Sequence, residues 1–206
     1  MAGNQTISPY KGSGQITREK FLFYEMRTAA RLMEEGLSDS DVEERIVEDN
    51  LFQYPTEKSI RQMAKTCIRR LHGLQDESLI AAVAAMPQDA AKQICLYAMM
   101  KQYRLVWDFM ITVIGEKYRM QNFSFSQMDV NVFFMQLQEQ DDYVAGWSES
   151  TMKKIRQILI RVLAENEYLD DIKADHINLV WLNPVLENAI RSNNDDRALA
   201  AFNCFS

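Results

Sequence analysis

The sequence has 206 residues, 47% hydrophobic and 25% charged, with 7 Gly, 4 Pro, 12 Met and a formal net charge of −6. This length and apolar content allow one domain or two small ones with a buried core, and the scarcity of Gly and Pro favours helices. The acidic balance argues against a uniformly basic nucleic-acid-binding protein.

Residues 1–16 read as a flexible tail. They lack the apolar stretch of a signal peptide, so a cytoplasmic protein is expected. Lys11-Gly12-Ser13-Gly14 lacks the Walker spacing of a phosphate loop. Thr17 is placed to cap a first helix reaching Glu35, with Leu22, Met26, Ala29 and Met33 on one face and Gly36 as its stop. Ser38 caps a second helix, flanked by a Leu37–Val42 staple, with Asp39 and Asp41 suiting its positive end. It ends near Asn50. After Leu51-Phe52-Gln53-Tyr54-Pro55, Thr56 caps a third helix running through His72. Ile60, Ala64, Cys67, Ile68 and Leu71 form its apolar side, and Lys58, Arg61, Lys65 and Arg69 form a basic stripe at steps of three or four. Helix, connection, basic helix is the outline of a helix-turn-helix-like element. The same stripe suits a solvated helix face equally well.

Asp76 caps a short Ala-rich helix to Met86, and Pro87 resets the chain. Helical pattern then runs from Gln88 to Lys101 and, past a break near Tyr103, on to Arg119. Lys101, Arg104 and Asp108 interrupt the apolar stretch from Gln93 to Gly115, so it is too broken to span a membrane. Tyr97, Tyr103 and Trp107 fit core positions better than base-stacking ones. The chain punctuates at Gln121–Ser126, which divides a helical N-terminal domain (17–120) from a C-terminal domain (121–206). Ser126 caps the next helix with a Phe125–Val130 staple, and Asp141–Gly146 is a turn or a single helical turn.

Ser148 opens the clearest helix of the sequence. Trp147 and Met152 have staple spacing, and Met152, Ile155, Leu159, Val162 and Leu163 recur on one side. Lys153, Lys154, Arg156 and Arg161 are its cations, and no acid falls between Thr151 and Ala164. A hydroxyl-rich N-terminus (Ser148, Ser150, Thr151) followed by cations suits phosphate oxygens. A core helix with a solvated basic face has the same pattern. Beyond it, Tyr168–Asp175 is acidic, and His176–Leu182 alternates like a strand. Helix, turn, basic helix and short β-hairpin is the order of a winged helix-turn-helix-like domain. Pro184 starts another helix and Asp195 can cap a last one.

Charge is segregated. Thr56–His72 and Thr151–Ala164 each carry +4, whereas Glu34–Asp49 holds eight acids against one cation. Cys67, Cys95 and Cys204 are widely spaced and read as reduced thiols. The two histidines, His72 and His176, join no catalytic or metal-binding pattern. No catalytic residue, cofactor-binding residue or metal ligand is therefore expected.

The run W-S-E-S-T-x-K-K-I-R from Trp147, followed by L-x-R-V-L-A-E-N-E-Y-L, resembles the C-terminal half of BrxA proteins. Tyr24–Leu71 and Leu105–Arg119 are similar to that family in order and spacing. These are small, helical, NusB-like components of BREX phage-defence systems. The resemblance implies a mainly α, non-enzymatic accessory protein that works with other BREX subunits and contacts double-stranded DNA with weak or no sequence specificity. The candidate contacts are Ser148, Ser150, Thr151, Lys153, Lys154, Arg156 and Arg161, with Lys58, Arg61, Lys65 and Arg69 as a second set. A protein-interaction module that does not touch nucleic acid is the alternative.

Overall fold

Eleven α-helices make up most of the computed structural model, which describes residues 7–205. They are α1 (Phe23–Glu34), α2 (Asp39–Glu48), α3 (Glu57–Gly73), α4 (Glu77–Ala85), α5 (Gln88–Gln102), α6 (Arg104–Phe109), α7 (Glu116–Arg119), α8 (Gln127–Gln140), α9 (Asp142–Ala145), α10 (Glu149–Glu165) and α11 (Pro184–Ser192). A π-helical segment, Met110–Gly115, joins α6 to α7, and 3-10 segments occupy Ser13–Thr17 and Asp196–Phe202.

Capping chemistry sets most of these boundaries. Ser38 and Ser126 each form a capping box, with Asp41 and Asp129 returning the bond. Thr56, Asp76, Asp141, Ser148 and Asn183 accept bonds from the first turns of α3, α4, α9, α10 and α11. Gly36 ends the α1 turn at φ 85°, where a side chain would be strained. The break near Tyr103 is present as an extended residue between α5 and α6.

The first helix starts later than the sequence pattern predicts. Thr17 does not cap it; its hydroxyl donates to the Gly14 carbonyl at 2.8 Å. Arg70 is the reason for the late start. Its fully buried guanidinium donates to the carbonyls of Glu19 and Phe21, the latter at 2.9 Å, and lies over the Tyr103 ring at 5.2 Å. Carbonyls held this way point inward to α3 rather than along a helix. Leu22 then enters α1 with φ 60°.

α1 packs against α3 and α4, α3 against α2 and α5, and α4 against α5. The Met110–Gly115 segment packs on Asp196–Phe202, and α10 packs on Ser13–Thr17. Buried side chains from Tyr10 to Phe202 belong to one cluster, including those on both sides of the expected boundary at residue 121. Part of the expected tail is held too. Ile16 is buried, and the Tyr10 hydroxyl donates to Asp108 at 2.9 Å; burial and that carboxylate push Tyr10 up to about 12. Residues 1–6 of the expected tail lie outside the described residues.

The expected β-hairpin of a winged helix is absent: no strand occurs among the described residues. An isolated antiparallel bridge links Ser124 and His176. Ile177 donates to the Phe123 carbonyl at 2.7 Å and Phe125 to the Asp175 carbonyl at 2.8 Å. The stretch after α10 therefore pairs briefly with the entry to α8, not with a partner next to itself. Its alternation does not mark a sheet face, since Ile177 is buried but Leu179 and Trp181 face solvent. Side-chain and backbone bonds from α5 and α7 hold it as a strap: Gln93 donates to the Trp181 carbonyl at 2.9 Å, and Tyr118 to the Asn178 carbonyl at 2.7 Å.

The three cysteines are free thiols. Cys67 and Cys95 are fully buried, and burial raises both, Cys95 to about 12.

Candidate nucleic-acid interface

The α10 helix is fixed from behind and open in front. Met152, Ile155, Ile158, Leu159, Val162 and Leu163 are buried, and Trp147 packs partly buried ahead of the cap. Thr151 N–H donates to Ser148 Oγ at 3.2 Å, while the Ser150 and Thr151 hydroxyls lie 3.0 and 2.9 Å from the same oxygen. Three hydroxyls and the free N–H groups of the first turn thus share one helix end, where the backbone dipole is positive.

The cations follow directly. Lys153, Lys154 and Arg161 are exposed, and neither they nor Arg156 forms an ion pair among the described residues. Arg156 is half-buried with its guanidinium 5.3 Å from the centre of the Phe134 ring of α8. Its Nε is buried without a hydrogen-bond partner. A guanidinium resting on an aromatic face is pre-ordered and still has outward N–H donors. The role of Phe134 as a support is one that the sequence did not reveal, because it comes from a separate helix.

The α3 stripe is in a different electrostatic state. Arg61 donates to Glu43 of α2 at 2.9 Å and to Glu57 at 2.8 Å; Lys65 lies 3.6 Å from Glu43. Arg69 pairs with the buried Glu19 at 2.8 Å, and Glu19 also receives the Tyr103 hydroxyl. His72, at the end of α3, bonds Asp39 of α2 at 2.8 Å. Lys58 is exposed and forms no ion pair among the described residues. The acidic stretch Glu34–Asp49 thus supplies two of the partners of α3, Asp39 and Glu43. Arg70 has left the surface entirely. Of the two basic helices, α10 keeps its charge available and α3 spends most of it internally.

No group of three or more His, Cys, Asp or Glu side chains that could hold a metal ion occurs among the described residues. No helix among them is long and apolar enough to cross a membrane.

The BrxA family model matches residues 9–194. This chain belongs to the BrxA family. A BREX protein BrxA from Bacillus cereus (strain H3081.97) is 33% identical over 160 residues, 78% of this chain and 80% of that protein. Escherichia coli O9:H4 (strain HS) has a BREX protein BrxA 25% identical over 171 residues, covering 83% and 80%. The crystal structure of an uncharacterized protein from Magnetospirillum magneticum superimposes with a TM-score of 0.77 at 21% identity, covering 92% of this chain and 96% of that one. That likeness establishes a shared fold over almost the whole chain.

Proposed function

We propose that this chain is a non-enzymatic accessory protein of a BREX phage-defence system and contacts double-stranded DNA through α10. The relatives called BREX protein BrxA support the system to which it is assigned. The observation that carries the DNA contact is the set of four α10 cations that form no ion pair among the described residues, placed behind a hydroxyl-rich helix N-terminus. Lys153 and Lys154 would meet phosphates as point charges. Arg156, steadied by Phe134, would offer a fixed fork. Ser148, Ser150 and Thr151 would add neutral donors at the helix end. Contacts of this kind position a protein on the backbone without reading bases, so sequence preference is weak or absent.

The test is a DNA-binding titration with Lys153, Lys154 and Arg156 all replaced by Glu. Reversing three charges is expected to weaken duplex binding at least a hundredfold at moderate salt, with an unchanged circular dichroism spectrum. A folded variant that binds like the parent would remove α10 as the contact. If the parent itself binds no duplex, the scaffold reading replaces this one.

A further inference from the structure

At the opposite end of α10 the surface chemistry reverses. A pocket there is bounded by the first turn of α5, the end of α10 and the strap after it, with Asp89, Lys92, Asn166, Glu167, Asp170 and Trp181 around it. Three carboxylates face one ammonium, and Lys92 is already committed to Glu167 at 3.1 Å. Asp170 accepts from the Asn178 side-chain amide at 2.8 Å and forms no ion pair among the described residues. At the rim, Trp181 is 81% and Leu179 52% exposed.

Asn166 is the second, independent observation. It is 9% exposed, and its Nδ2 donates to the Val162 carbonyl at 2.8 Å, which fixes the orientation of the amide. Its Oδ1 is buried with no donor. A buried acceptor without a donor is unfavourable, so a ligand that brings N–H groups is favoured there. The pocket therefore combines an acceptor awaiting a donor, an excess of negative charge and an open indole face beside an aliphatic side chain.

We propose that this pocket receives an arginine side chain from a protein partner. Guanidinium matches every part of the description: planar stacking on Trp181, paired N–H donors for Asp89 and Asp170, and a further donor for Asn166. Exposed Trp and inserted Arg are also the side chains that most often dominate protein interfaces. The apolar rim of Leu179 and Trp181 suits the residues flanking that arginine, which a small polyamine lacks. Duplex DNA is repelled by the carboxylates. The site lies at the opposite end of α10 from Lys153, Lys154 and Arg156 and does not depend on the DNA reading.

The experiment follows the Trp181 indole N–H resonance of the full chain by nuclear magnetic resonance. The ligands are a capped Leu-Arg-Leu peptide, the same peptide with neutral citrulline in place of arginine, and spermidine. The arginine peptide is expected to shift the resonance saturably and to bind at least tenfold tighter than either control. Equal binding of citrulline or spermidine, or no saturation with arginine, overturns the proposal. The D89N/D170N double variant changes two exposed carboxylates without touching the core, and is expected to bind the arginine peptide about tenfold more weakly. An unchanged affinity in that variant overturns it as well. The α10 triple Glu variant is expected to bind the peptide like the parent, which separates this site from the DNA contact.

Discussion

Gly115 has no room for a side chain. A Cβ built there would lie 3.0 Å from the Ala200 Cβ and 3.2 Å from its carbonyl carbon, and backbone cannot swing aside. Gly115→Ala gains up to about 1 kcal/mol of helix propensity, against roughly 1–3 kcal/mol for overpacking. A net loss of up to about 2 kcal/mol is expected in urea unfolding, and a stabilised variant would show that the two segments separate easily. Asp129 supports a pH prediction. Burial alone would raise its carboxyl, but the Lys117 ammonium at 2.7 Å and the Ser126 N–H at 2.7 Å outweigh that and hold it below the usual carboxylate range. A folded-state pKa below the unfolded one stabilises the fold fully above about pH 4 and loses that contribution as pH falls further. Asp129→Asn is expected to cost about 1 kcal/mol at pH 7, with the gap to the parent closing by pH 2. A gap that stays constant would count against the charge. Neither the Gly115–Ala200 contact nor the Lys117–Asp129 pair was legible in the sequence, because each is set by packing rather than by spacing.

The helices themselves were largely legible. Seven caps fall where hydroxyl, Asp or Asn side chains precede an apolar period, because such a side chain satisfies orphan N–H groups using only its own turn. What failed was non-local. The strand pattern at His176–Leu182 found a neighbour only at its start, the bridge to Ser124, and since a strand is made by its partner the rest became a strap bonded to α5 and α7. The late start of α1 comes from Arg70, which is 49 residues from its Phe21 acceptor. The two basic helices also looked alike in sequence, each at +4. Their difference arises from Glu43 and Glu19, which meet α3 only in the fold. This separates their expected salt behaviour. Neutralising Lys153, Lys154 and Arg156 should flatten the slope of log K against log salt by roughly one to three units, at about 0.9 per phosphate contact. Neutralising Arg61, Lys65 and Arg69 should leave the slope unchanged, because those charges are already balanced. A matching loss of slope in the α3 set would show that DNA displaces the internal acids and that both helices touch it.

On the scale of the molecule, an acidic protein presents Lys153, Lys154 and Arg156 at one end of α10 and carboxylates beyond the other. The net charge of −6 describes neither region. Salt at 0.1 M largely screens charges farther apart than roughly 10 Å, so repulsion from the distant acidic remainder weakens attraction to DNA less than the nearby cations strengthen it. The core bears on how this arrangement is maintained. Buried residues on both sides of residue 121 form one cluster, and the Asp196–Phe202 segment lies against the helix ending before it. Unfolding is therefore expected as a single transition, with circular dichroism and tryptophan fluorescence coinciding in urea. Two separated transitions would support the division into a helical N-terminal and a separate C-terminal domain.

The π-helical stretch Met110–Gly115 bears on which insertions and deletions the gene can accept. A π segment is one residue wider per turn than an α-helix, so it has the form of an old single-codon insertion. Deleting one codon there would restore ordinary pitch but rotate all that follows by about 100°. Tyr118 would turn from the Asn178 carbonyl, Lys117 from Asp129, and a bulkier side chain would enter the slot that Gly115 leaves for Ala200. Three contacts downstream depend on that extra residue, so the helix from Arg104 to Arg119 can vary by substitution far more readily than by length.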